Sequence, residues 1–179
     1  MPIRKIIGPD NPLLRKKARA IGNPASPALQ QLIDEMIETM REAPGVGLAA
    51  PQVAVSQRLV VIEYAPGLED AERPEGAEPP KPKLYVIINP EITTRSEELV
   101  DGAEGCLSIP GYYGNVLRHK AVTVKALNRK GKPMKIKADG WLARIFQHEI
   151  DHLDGVLFID RASKVWKAPS DEPQPEALG

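Results

Sequence analysis

The sequence is poor in the features that mark secreted, membrane-spanning or nucleic-acid-binding proteins. Its 179 residues include one cysteine, Cys106, so no disulfide can form within the chain, and this usage fits a reducing compartment. No apolar run reaches the roughly eighteen residues of a membrane-spanning helix, and charges scattered through the N-terminal segment argue against a signal peptide. Basic and acidic residues number 24 each, which argues against nucleic acid or an anionic membrane as main partner. We therefore expect a cytoplasmic protein.

The length and composition favour one globular domain with its own hydrophobic core. We assign this domain to residues 1–167. Within it, residues 65–83 carry five prolines among acidic residues and almost nothing apolar, which predicts a long exposed loop. Residues 168–179 are again rich in proline and acidic residues, and this composition predicts a disordered tail.

Hydrophobic periodicity predicts one helix, then a group of strands, and then a second helix. Residues 26–42 place Leu, Ile and Met side chains at helical spacing, with Ser26 as N-cap and Pro27 in the first turn. A second helix is predicted from about residue 139 to 154. Short runs rich in β-branched residues predict strands at 59–62, 85–88 and 122–127, with 134–138 returning as a hairpin partner.

The strongest local motif is His-Glu-x-x-His at residues 148–152, on the second predicted helix. Residues four apart lie on one helical face, so His148 and His152 can bind one metal ion, with Glu149 beside them as a general base. The alternative is a structural helix whose histidines face solvent or are hydrogen-bonded within the core. Trp141 and Ile145 share the stripe of the histidines, so a buried apolar face continues into polar groups that need partners.

A catalytic metal of this kind needs a third protein ligand and an open position. Downstream of His152 the sequence offers no histidine and few carboxylates, chiefly Asp154 and Asp160. Upstream lies Cys106, between glycine-bearing turns. A single cysteine is usually a small buried hydrophobic residue, but next to an incomplete metal motif it is the best thiolate ligand available.

Three segments together resemble the peptide deformylase family. The family motifs G-x-G-L-A-A-x-Q, E-G-C-L-S and Q-H-E-x-D-H are matched in order by residues 45–52, 104–108 and 147–152. The resemblance extends from an N-terminal segment at residues 9–15 to Asp160. It implies an α+β fold, with mixed antiparallel β-sheets around a central helix that carries the HExxH motif.

The resemblance also implies a catalytic site. Cys106, His148 and His152 would bind one divalent metal ion, Fe²⁺ in the family, with Zn²⁺, Ni²⁺ or Co²⁺ as substitutes. Glu149 would take a proton from the attacking water and return it to the leaving amine. The side-chain amide of Gln52 and the backbone N–H of Leu107 would stabilise the developing oxyanion.

The implied substrates are nascent polypeptides that begin with N-formylmethionine. The family binds them like an added strand, and the matching backbone positions are Val46, Gly47 and Gly105. Trp141 and Ile145 are expected to line the methionine pocket. We expect a monomer, and a transient ribosome contact stays open because the chain has a short proline-rich tail where some relatives have a helix.

Two other functions compete with this one. The chain would be a zinc endopeptidase if the third ligand lay downstream of His152, and Cys106 would then be dispensable for metal binding. It would be a non-catalytic metal or redox module if the cysteine and histidines formed a closed site, and Glu149 and Gln52 would then be dispensable.

Overall fold

The computed structural model describes residues 2–67, 74, 76–169 and 177–179. Its helices are α1 (Pro27–Glu42), α2 (Gly140–Leu153) and the short α3 (Phe158–Arg161). The strands are β1 (Gly47–Ala49), β2 (Leu59–Tyr64), β3 (Lys83–Arg95), β4 (Leu99–Cys106), β5 (Ile109–His119), β6 (Ala121–Leu127), β7 (Pro133–Asp139) and β8 (Lys164–Lys167). Single 3₁₀ turns lie at Pro12–Arg15 and Ala50–Val53. Among these residues no helix is both long and apolar enough to cross a bilayer.

The strands form two antiparallel sheets. The larger has the order β1-β2-β3-β6-β7, and the smaller has the order β4-β5-β8. Helix α2 contacts β1, β2, β6 and β7 of the larger sheet and β5 of the smaller one. The predicted α+β fold with antiparallel sheets is confirmed.

Strand β2 is buried on both faces, because each face of the larger sheet is covered by a helix. Val60 and Ile62 belong to the hydrophobic cluster around α2, whereas Leu59 and Val61 belong to the cluster around α1. This separation follows from the two-residue periodicity of a strand. It explains why the sequence reads here as a continuous apolar run and not as an alternating one.

Helix α1 begins and ends where the sequence predicts. Pro27 occupies its first turn, and the Ser26 side chain accepts a hydrogen bond from the Leu29 N–H at 3.3 Å, which satisfies one of the unpaired donors at the helix start. The apolar face of α1 packs on the larger sheet. This helix is scaffold for the strand β1 that borders the site.

Several strands are longer than the sequence predicts or were not predicted at all. The predicted strand at 85–88 is the centre of the thirteen-residue β3. Strands β4 and β5 pair along their whole length, yet their glycines and charges hide the alternation that would predict them. The edge strand β8 was also not predicted.

Two predicted irregular segments fall partly outside the described residues. Residues 68–73 and 75 of the predicted exposed loop lie outside them, and Lys83 at its end already belongs to β3. Residues 170–176 of the predicted disordered tail also lie outside them. Residues 177–179 differ from that expectation, because they have defined positions and the Leu178 side chain is buried.

Candidate active site

Cys106, His148 and His152 converge on one point. Cys106 is the last residue of β4, and the two histidines lie one turn apart on α2. The ligand atoms of all three lie within 4.8 Å of one another, and all three residues are buried. The distance from Cys106 Sγ to His152 Nε2 is 3.4 Å. Standard metal–sulfur and metal–nitrogen bonds place neighbouring ligands of a tetrahedral site about 3.6 Å apart, so these residues fit a metal ion.

The end of β4 directs the cysteine toward α2. Cys106 pairs with Ile109 of β5, and a register shift separates this pair from the regular ladder at Gly105. Such irregularities re-aim a side chain that would otherwise follow the strand alternation. In consequence Glu104, Gly105 and Cys106 are all buried in succession.

Glu104 and Arg118 support the first histidine. The His148 Nδ1 lies 3.1 Å from Glu104 Oε1, which leaves Nε2 for a metal ion. Arg118 donates to Glu104 at 3.0 Å and to Asp151 at 2.6 Å. Burial alone would raise the pKa of Glu104, but hydrogen bonding and charge attraction from His148 and Arg118 lower it to about 2. This carboxylate therefore stays ionised and holds the imidazole in one orientation.

Arg118→Met will destabilise the protein strongly, because it leaves Glu104 buried without its main cation. Loss of one partner from a buried ion pair costs about 3–5 kcal/mol of the free energy of unfolding. Urea unfolding of the metal-free protein measures this loss. Arg161→Met is the control: Arg161 also binds Asp151, but its side chain is 48% exposed, and such pairs contribute at most about 1 kcal/mol. Equal losses in both variants would contradict the assignment of Arg118.

The two histidines differ in proton affinity. Burial, and then the neighbouring His148, lower the pKa of His152 well below its usual range. Neutral imidazole is the form that binds metals. Burial opposes a charge on His148 as well, but hydrogen bonds with Cys106 and Glu104 outweigh it and raise the pKa of His148 well above its usual range. Metal binding at Nε2 replaces the proton there.

Glu149 is the least satisfied polar group of the described chain. Among the described residues, three buried side-chain polar atoms have no hydrogen-bond partner: both carboxylate oxygens of Glu149 and the Nδ1 of His152. Burial raises the pKa of Glu149 to about 8. Buried polar groups are ordinarily paired, and exceptions concentrate at functional sites. The orphaned carboxylate next to the three ligands therefore indicates a site built for a reacting group.

Gln52 presents its amide to the same space. Its Oε1 accepts from the Ala49 N–H at 2.9 Å, which fixes the orientation of the amide. Its Nε2 lies 3.7 Å from Cys106 Sγ and 3.3 Å from Ser108 Oγ. Gln52 is fully buried in the 3₁₀ turn after β1. Leu107, directly after the cysteine, directs its backbone N–H into the space between Val46, Gly105 and His148, which we call the cleft.

The expected substrate-binding positions border this cleft. A Cβ on Gly47 would lie 2.5 Å from Glu149 Oε1, so only glycine lets β1 approach the carboxylate this closely. Trp141 and Val46 share a cavity of about 590 Å³, which is also lined by Pro79, Pro80 and Pro82. Ile145 is completely inaccessible within the cluster around α2. The structure therefore places Trp141 at an open cavity and Ile145 in the hydrophobic core.

Sequence reasoning missed two features of the site. Asp151 is one of the two unspecified positions of His-Glu-x-x-His. It pairs with both Arg118 and Arg161 and so connects α2 to β5 and α3. Its only signal was its place in the third family motif. Residues 177–179 lie in the cleft, and nothing in their composition predicts this.

Comparisons with known proteins agree on one family. A family model described as polypeptide deformylase matches residues 3–168. The chain is 46% identical to the peptide deformylase of Symbiobacterium thermophilum over 191 residues, which cover 100% of this chain and 81% of the relative. The crystal structure of peptide deformylase from Thermotoga maritima superposes with a TM-score of 0.79 at 37% identity, covering 92% and 100% of the two chains. A Met-Ala-Ser-bound peptide deformylase from Acinetobacter baumannii has a TM-score of 0.78 at 36% identity, covering 89% and 98%.

Proposed function

The chain belongs to the polypeptide deformylase family, metal-dependent hydrolases that remove N-formyl groups from nascent peptides, and we propose that Cys106, His148 and His152 hold its catalytic metal ion. The single observation that carries this proposal is the convergence of three ligand atoms within 4.8 Å, beside the buried Glu149 carboxylate, which has no hydrogen-bond partner in the part of the chain that the structure describes. A thiolate and two imidazoles leave a tetrahedral ion one open position for chemistry.

Glu149 is the proton carrier of the reaction. Its unpaired carboxylate accepts a proton from the attacking water as the new C–O bond forms. It then delivers that proton to the amine nitrogen as the C–N bond breaks, so the products are formate and a free N-terminus. A metal ion held by Cys106, His148 and His152 would supply Lewis-acid chemistry at this site.

Gln52 and Leu107 hold the oxygen of the formyl group. The Gln52 amide is fixed by its acceptor bond to Ala49 and directs its N–H donors at the space next to Cys106. The Leu107 N–H points into the same space. Donors fixed before the reaction stabilise the developing negative charge without reorganisation.

The substrate lies along β1 as an added strand. The Val46 N–H and the Gly105 carbonyl are the groups we assign to its backbone, since both direct their hydrogen-bonding capacity into the cleft. Gly47 provides the close approach to Glu149. Trp141 and Ile145 line the side-chain pocket. The Met-Ala-Ser found in the Acinetobacter relative supports peptides that begin with methionine.

Fe²⁺ is the proposed native metal. The ligand set of one thiolate and two imidazoles suits Fe²⁺, Zn²⁺, Ni²⁺ and Co²⁺ alike, so this choice follows the family resemblance. We further propose a cytoplasmic monomer that acts on nascent formylmethionyl chains, with any ribosome contact transient.

The competing functions fit the described residues less well. Asp154 is paired with Arg58, and Asp160 accepts from the Leu157 N–H and pairs with Arg15. The group with metal-ligand geometry includes Cys106 and neither aspartate, which disfavours the endopeptidase. A closed structural site gives no reason for the unpaired carboxylate of Glu149.

Formate release from formyl-Met-Ala-Ser tests the proposal. Protein purified without oxygen and loaded with Fe²⁺ or Ni²⁺ should release one formate for each free amine produced. Acetyl-Met-Ala-Ser is the matched control substrate, and a peptide blocked at both ends tests for endopeptidase activity. Cleavage of the blocked peptide without formate release would favour the endopeptidase, and no hydrolysis by the fully metallated protein would favour the structural site.

A further inference from the structure

Residues 177–179 form a hydrogen-bonded ladder in the substrate cleft. The Ala177 carbonyl accepts from the Val46 N–H at 3.2 Å, and the Ala177 N–H donates to the Pro44 carbonyl at 3.1 Å. The Leu178 N–H then donates to the Gly105 carbonyl at 3.2 Å. The segment is thus paired on both sides, once with the chain leading into β1 and once with the end of β4.

The end of this ladder lies at the proposed reaction centre. The Gly179 carbonyl oxygen accepts from the Leu107 N–H at 3.1 Å and lies 3.2 Å from the His148 Nε2. It therefore occupies the position that we assign to the formyl oxygen. A Cβ on Gly179 would lie 2.0 Å from Glu149 Oε1 and 2.6 Å from the Gly47 carbonyl, so no residue larger than glycine fits there.

Leu178 fills the apolar part of the cleft. Its side chain is 1% exposed and packs in the hydrophobic cluster around α2, which also contains Ile145, with Val46 and Trp141 at its edge. Burial of one leucine is a substantial driving force for a three-residue segment. Both the backbone groups and the apolar surface that we assign to the substrate are therefore used by the chain itself.

We infer that the cleft binds the chain's own residues 177–179 in competition with formylated peptides. The inference rests on the proposed function, because it assigns the same backbone donors and pocket to both ligands. Ala177 is parallel to Gly45, and the segment runs toward the metal ligands in the amino-to-carboxyl direction. A formylated substrate presents its amino end to those ligands. The Ala-Leu-Gly segment at residues 177–179 therefore lies in the cleft with the opposite chain direction to a substrate.

Two full-chain substitutions test the inference by kinetics. Gly179→Ala collides with Glu149, and Leu178→Asp brings a charge into the apolar cluster, so both should release the segment. The apparent KM for a short formylated peptide should then fall roughly three- to tenfold at unchanged kcat, because a tethered ligand acts at an effective concentration on the order of millimolar. Leu178→Met keeps the size and polarity of the side chain, and it should behave like the unsubstituted chain. An unchanged KM in both releasing variants would overturn the inference.

Amide hydrogen exchange provides a readout that needs no catalysis. The Val46 and Leu107 N–H groups should exchange slowly in the unsubstituted chain and in Leu178→Met, and faster in Gly179→Ala and Leu178→Asp. Exchange that is equally fast in all four proteins would show that the segment does not occupy the cleft. Because this measurement is independent of deformylation, an inactive protein with protected amides would contradict the proposed function and leave the binding of residues 177–179 supported.

Discussion

Glu149→Gln will lower the rate of formate release by about 10³–10⁴-fold, while the metal content stays that of the unsubstituted protein. Glutamine has the shape of glutamate, but its side-chain amide does not accept a proton near neutral pH. Among the described residues, the Glu149 oxygens have no hydrogen-bond partner whose loss would disturb the fold. General acid–base catalysis contributes about 10²–10⁴-fold to a rate. We expect the upper part of this range, since one carboxylate serves both proton transfers. Stopped-time formate assays on protein with measured metal content check the prediction.

Glu35→Gln is the matched control. Glu35 is also a buried glutamate on a helix, but it lies on α1, where it is paired with Arg4 and Gln31. Its substitution makes the same chemical change far from the metal ligands, so activity per bound metal ion should be unchanged even where stability falls. Full activity in Glu149→Gln, or equal losses in the two variants, would remove Glu149 from the reaction.

Local sequence patterns predicted those parts of the fold whose residues interact with near neighbours in the chain. Helix α1 has a cap, a proline in its first turn and one apolar face, and each of these signals acts within a few residues. Strand β4 has none of them. Its Glu104 and Gly105 are buried because Glu104 pairs with Arg118 and Arg144 and Gly105 pairs with Tyr113 of β5. Contacts of this kind between distant segments leave no periodic trace in one strand.

The residues of the site show the same difference between local patterns and contacts of distant segments. The spacing of His148 and His152 alone predicts that they share one face of the helix, with Glu149 beside them. Cys106 joins them only through the irregular end of β4. The sequence indicated it as the best available thiolate for an incomplete metal motif, and the resemblance to the family then implied it as a ligand. The position of residues 177–179 was beyond either kind of reasoning. Their composition predicts a disordered tail. In the structure, Val46 before β1 and Gly105 of β4 lie at the edges of the two sheets and supply hydrogen-bond partners for them.

Cys106→Ala will remove the metal ion from a protein that still folds. The thiolate is one of only three protein ligands in the proposed site, and loss of a direct ligand should exceed the roughly 10–100-fold drop in metal affinity caused by loss of an outer partner. The apolar side chains around Cys106 accept a methyl group, so circular dichroism should be unchanged. Elemental analysis of protein prepared without oxygen should then find close to no metal, and formate release should be lost with it.

Asp154→Asn separates this result from the endopeptidase alternative. Asp154 is the first carboxylate after His152, and a site with a downstream third ligand would depend on a residue of this kind. In the described structure it lies at the end of α2 and pairs with Arg58. We therefore expect Asp154→Asn to retain full metal content and activity. Metal retained by Cys106→Ala and lost by Asp154→Asn would move the third ligand downstream and reject the assignment of the thiolate. The opposite pattern requires that β4 completes the site on α2, so that metal binding depends on the contact between this strand and this helix.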